Sequence, residues 1–182
     1  MADPNTKEIL DNIDKATILT YRLGMVITGL ALFCIALQQI FYPLWFKQIL
    51  ILLAFGSLLQ ASSLHIYDKR IRWFLVNATW IGCWLVAVSF VTTGLWVAYL
   101  SFGALIVTLS GLAYKESFCF SLTLLKSTPP LLVASWLLVV LSFNDWAACA
   151  LVLASLLYLY MAWRKINMPL HFDLGDRSKY QI

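Results

Sequence analysis

Charge is scarce in this sequence. Only 12% of its 182 residues are charged, against 62% hydrophobic, and mean hydropathy is +0.82, whereas a soluble domain carries about twice that charged fraction. Soluble and secreted classes are thereby excluded. Histidine is scarcer still: His65 and His171 are the two present, and no carboxylate or cysteine stands at ligand spacing on the helix expected to carry His65. Metal binding is not expected, and no cofactor motif is present. The four cysteines, Cys34, Cys83, Cys119 and Cys149, stand singly, with no C-x-x-C pair for zinc or redox work. Three read as small apolar packing residues; Cys119, beside Lys115 and close to a surface, is the candidate for a reactive or acylated thiol. The first 20 residues mix Asp3, Glu8, Asp11 and Asp14 with Lys7 and Lys15, which does not resemble a secretory or organellar signal.

A further absence bears on function. The apolar runs contain no ionisable residue in their central parts; Gln38, Gln39, Gln60 and Asn77 are the larger polar groups there. Proton-coupled transporters and intramembrane hydrolases place Asp, Glu, His or Lys at mid-depth. The pattern Asn77-Ala78-Thr79 matches a glycosylation acceptor but falls inside an apolar run, so it is set aside. Buried amides of this kind mark helix contacts, as do the four-residue spacings of Ser57 with Ala61, Gly94 with Ala98 and Ala150 with Ala154. No internal repeat is evident.

What is there is hydrocarbon, in runs of about 20 residues, the length that crosses about 30 Å of bilayer. The sequence predicts an all-α, polytopic membrane protein of six spans: about Leu23 to Phe41, Leu44 to Ile66, Trp73 to Thr92, Leu95 to Tyr114, Pro129 to Phe143 and Trp146 to Trp163. Tyr21, Tyr42, Tyr67, Trp73, Tyr114, Trp146 and Trp163 cluster near the ends as an aromatic belt. Ahead of the spans, residues 1–20 read as an amphipathic lead-in, with Asp3 capping, Pro4 in the first turn, and Ile9, Ile13, Ala16 and Thr20 on one face. Residues 21–165 form the membrane domain and 166–182 a tail. The fifth span is short, about 22 Å, and Thr128 caps it ahead of Pro129. Residues 117–126 are read as interfacial or re-entrant, with one long helix through the prolines as the weaker alternative.

Orientation follows from charge. With six spans, every lysine and arginine except Lys47 falls on the side of the two termini, which the positive-inside rule makes cytoplasmic. The formal net charge of +4 therefore describes one membrane face, not a nucleic-acid surface.

Between the fourth and fifth spans lies the stretch Gly111 to Pro130, written GLAYKESFCFSLTLLKSTPP, the longest interruption containing polar residues. Its segment Gly111-Leu112-Ala113-Tyr114-Lys115-Glu116-Ser117-Phe118-Cys119-Phe120, with Tyr21-Arg22-Leu23 and His65-Ile66-Tyr67, resembles a family of uncharacterised integral membrane proteins, domain of unknown function 2301. The resemblance covers about Tyr21 to Trp163. It implies a multi-pass bacterial membrane protein and supplies no activity; the expected location is the inner membrane. Many members of that family continue after the second phenylalanine with arginines and a glutamate, where this chain has Ser121-Leu122-Thr123.

The candidate interaction cluster on the cytoplasmic face is Arg22, His65, Arg70, Lys115, Glu116 and Cys119. On a helix Lys115 and Glu116 point about 100° apart and should find different partners, Glu116 meeting Arg22 or Arg70. The bland reading is a set of topological anchors whose surface pairs contribute about 0–1 kcal/mol; the functional one is a basic pocket for a head group, anion or partner. Three functions follow. The first is a non-catalytic component that docks or assembles, in the lipid bilayer, with another membrane protein or with copies of itself. The second is a small-solute channel or transporter lined by Gln60, Asn77 and serines. A lipid head-group enzyme using His65 and Glu116 ranks last.

Overall fold

The computed structural model describes residues 10–41, 45–64, 68–119 and 123–174; the proposed Asp3-Pro4 cap and His65 lie outside them. The chain is helical throughout these segments: α1 Asn12–Phe41, α2 Phe46–Ser62, α3 Lys69–Val91, α4 Trp96–Cys119, α5 Thr128–Val140, α6 Asn144–Ile166 and the short α7 His171–Leu174, with a 3-10 turn at Thr123–Ser127 ahead of α5. The all-α, polytopic class is thus the observed one. Helices α1, α3, α4 and α6 are each long and apolar enough to cross a membrane; α2 and α5 are shorter, at 17 and 13 residues.

Two elements differ from the sequence expectation. Residues 12–20 are the first turns of α1 itself, a 30-residue helix with no break ahead of the first apolar run, because nothing between Asn12 and Tyr21 stops a helix. Further along, α4 runs to Cys119, so Gly111 to Cys119 is helix and not an interruption. Lys115 and Glu116 suggest a helix end, but Glu116 is buried and its charge is met by neighbours instead of by water. The long helix through Pro129 and Pro130 is not formed. The prolines stand in the first turn of α5, where their missing N–H groups leave no bond unmade. Its helical start at Thr128, preceded by the 3-10 turn, also explains the short fifth run: about 20 Å of α-helix plus about 10 Å of 3-10 turn. Leu125 in that turn is buried, and Lys126 lies over the Phe118 ring at 5.7 Å.

The helices form a closed bundle in which each packs on its sequence neighbours and α6 returns to α1, while α2 also touches α4. Leu32, Ile35, Leu50, Leu53, Phe102, Leu105, Leu151 and Tyr158 fill the middle. Small residues set the closest approach. A Cβ on Gly24 would lie 2.8 Å from the Gly56 carbonyl oxygen, and one on Gly56 would lie 2.9 Å from the Thr28 backbone nitrogen, so α1 and α2 are in backbone contact there. Beside them Gln60 Nε2 donates to Thr28 Oγ1 at 2.8 Å, and Tyr158 OH donates to Gln60 Oε1 at 2.7 Å. Between α3 and α4, Thr79 Oγ1 donates to Thr108 Oγ1 at 3.1 Å and Ser101 Oγ to the Gly82 carbonyl at 3.0 Å.

Helix ends are closed locally. Asp68 caps α3 by accepting from the N–H groups of Arg70 and Ile71. At its other end Lys47 Nζ donates to the carbonyls of Ser89 at 2.6 Å and Thr92 at 3.0 Å, a cation where carbonyls lack partners. Between α5 and α6 the chain turns through Ser142 at φ 61°, and the Phe143 N–H reaches back to the Leu138 carbonyl.

Candidate functional site

The end of the bundle opposite Lys47 holds a buried charge network. It draws Tyr21 and Arg22 from α1, Lys115 and Glu116 from the last turns of α4, Lys165 from the end of α6, and Asp173 from α7. Asn167 and Pro169 end α6, since proline cannot extend it, and the chain folds back so that α7 lies against α1.

Glu116 is at the centre, with no exposed surface. Its Oε1 accepts from Tyr21 OH at 2.9 Å, and its Oε2 accepts from Lys165 Nζ at 2.7 Å. Lys115 Nζ lies 3.5 Å from Oε1 and 5.2 Å from the centre of the Tyr21 ring. Lys165 Nζ also contacts Asp173 Oδ1 at 2.7 Å. Arg22 Nε donates to Asp173 Oδ2 at 2.8 Å, and its terminal nitrogens donate to the carbonyls of Ile166, Met168 and Pro169. The fork of the guanidinium thus gathers the end of α6 and the segment after it, which a lysine could not do.

Two carboxylates face three cations here, and Arg22, Lys165 and Asp173 side chains are each only 4–6% exposed. Charges so buried persist because each is paired and hydrogen-bonded. The cavity among Ile18, Tyr21, Lys115, Lys165 and Asp173 measures about 10 Å³, room for about one water.

Of the residues expected to cluster, Arg22, Lys115 and Glu116 do come together. Glu116 does not meet Arg22 or Arg70, however. Its partners are Lys165 and Tyr21, because α6 lies beside α1 at this end, while Arg22 is taken by Asp173. Lys115 and Glu116 do not separate fully either, since both reach Tyr21. Arg70 stands apart in the exposed first turn of α3, where it borders a concavity of about 550 Å³ with Lys69, Trp73 and Phe74. Cys119 is the last residue of α4, its side chain outside the described residues, as is His65. Tyr21, Lys165 and Asp173 were not foreseen as members. Lys165 had a signal, since it follows Tyr158 and Ala162 on one helical face and both are buried. Among the described residues no group of three or more His, Cys, Asp or Glu is placed to hold a metal ion.

Comparison with known proteins accords with this picture. Residues 59–182 match the family described as uncharacterized integral membrane protein (DUF2301). The chain belongs to that family. It is also 36% identical over 185 residues to an uncharacterized protein of Haemophilus influenzae, the match covering all of both chains. No solved structure matches. The matched family region includes Glu116, Lys165 and Asp173 and leaves out Tyr21 and Arg22.

Proposed function

We propose that this protein is a non-catalytic component of the bacterial inner membrane, with six spans and both termini in the cytoplasm, that docks another membrane protein through its cytoplasmic face. The observation that carries the reading is the closure of Glu116. Both of its oxygens are engaged by Tyr21 and Lys165, and the adjoining cavity holds about one water, so the charged residues brace the bundle and do not form an acid–base pair open to substrate. A solute path would need Gln60, which is instead bonded to Thr28 and Tyr158 inside the core. What remains available on that face is basic and aromatic: Arg70 with Trp73 and Phe74 at the start of α3, and Tyr114 and Phe118, both exposed, on α4.

The test is a pull-down of the tagged protein from native nanodiscs, read by mass spectrometry. A stoichiometric partner is expected with the wild type and with Glu116→Gln, and is expected to be lost with Arg70→Glu. Recovery of the protein alone in every form would overturn the reading.

A further inference from the structure

Helix α3 turns an unusual face outward. It is the least covered of the long helices, with 28% of its apolar window buried against 44–61% for the others. Trp80, at the midpoint of its 23 residues, is 62% exposed, and Trp84 is 68% exposed. Tryptophan in a bilayer belongs at the interfaces, where its N–H meets water; at mid-span the lipid offers no acceptor. Asn77 lies one turn earlier. Its Nδ2 donates to the Trp73 carbonyl at 2.7 Å, whereas its Oδ1 and the indole N–H groups of Trp80 and Trp84 have no partner among the described residues. Asn77, Trp80 and Trp84 fall at positions i, i+3 and i+7, on one stripe.

We infer that α3 is the contact helix of a homodimer in which Trp80 Nε1–H of each copy donates to Asn77 Oδ1 of the other. Two copies inserted in the same direction are related by a two-fold axis along the membrane normal, so residue i meets j and j meets i. Asn77 and Trp80 are about 4.5 Å apart along the helix axis, a step that the longer indole covers as it leans back toward the N-terminus. A donor and an acceptor side by side on a single face are self-complementary, so a second copy of the same chain offers each the partner it lacks. The wholly apolar concavity of about 490 Å³ among Trp80, Ile81, Trp84 and Leu85 receives the facing Trp84. The inference does not use the residues of the docking reading above and stands or falls apart from it.

The experiment is single-molecule subunit counting of the full chain in liposomes across a series of lipid dilutions, comparing wild type with Trp80→Phe, Asn77→Leu and, as a control on another exposed face, Leu153→Ala. Interhelical hydrogen bonds in membranes are individually weak, so two symmetric ones set the expected rise in the dimer dissociation constant at about tenfold for either α3 variant. The control should dimerise like the wild type. Melting curves show that each variant is folded, and Trp80→Phe keeps the apolar bulk while removing the donor. A wild type that is monomeric at all dilutions, or dimerisation unchanged in both α3 variants, overturns the inference.

Discussion

Glu116 and Lys165, 49 residues apart in sequence, meet at 2.7 Å in the interior of the bundle. The pair joins α4 to α6 across a gap that those two helices otherwise bridge sparsely. Removing one member leaves a charge with too few partners in a medium that solvates it poorly.

Lys165→Met and Glu116→Gln should therefore each destabilise the protein by about 3 kcal/mol, read as a lowered unfolding midpoint in detergent. The double variant should cost clearly less than the two singles together, because neither charge is then stranded. Strict additivity would mean that the pair is not coupled.

Arg22→Lys keeps the charge and loses the fork. Contacts to Asp173 and to three carbonyls cannot all be held by one ammonium, and bonds to charged groups contribute about 1.5–3 kcal/mol each. Hydrogen exchange should accelerate in residues 166–173 while the middle of α1 stays protected. Equal acceleration in both would place Arg22 in the global core instead.

Gly56→Ala and Gly82→Ala separate two kinds of crowding. At Gly56 the new methyl meets the Thr28 backbone nitrogen at 2.9 Å; at Gly82 it meets the tip of the Leu105 side chain at 2.7 Å. Backbone cannot step aside, so Gly56→Ala should cost about 2 kcal/mol or more. Leu105 is buried and its Cγ also lies 2.9 Å from the new methyl, so its shift offsets alanine's helix preference of about 1 kcal/mol over glycine, and Gly82→Ala should cost less than Gly56→Ala. Thermal midpoints of the two variants check this.

Ser142 occupies left-handed backbone at φ 61°, a conformation that costs an ordinary residue about 1–2 kcal/mol. Ser142→Gly should raise the unfolding midpoint, by up to about that free energy, and Ser142→Val should lower it.

The recurrence of apolar runs carried the all-α, polytopic class, because bilayer thickness fixes run length whatever the packing. The extent of α4 was not legible. Lys115 and Glu116 look like a helix end when water is assumed to be their solvent, and only the arrival of Lys165 and Tyr21 allows the helix to continue to Cys119. Arg22 was recognised as a member of the site, but its partner Asp173 lies 151 residues away in a segment that reads as polar tail. Such a pairing depends on which helices are neighbours, and hydropathy is silent on that. Asn77 was read as a helix-contact amide; that its helix presents it outward emerged only from the packing of α3.

The network at the charged end also orders events in the making of the protein. Arg22 and Glu116 leave the ribosome well before Lys165 and Asp173, the groups that finally pair with them. Until then Glu116 has only Tyr21 and Lys115, and Arg22 has none of the acceptors it holds in the folded bundle. Release of the last segment completes both sets of contacts. A nascent chain halted before Lys165 would leave Arg22 without its carboxylate and Glu116 without its shortest ion pair, so this end of the bundle is the last to close.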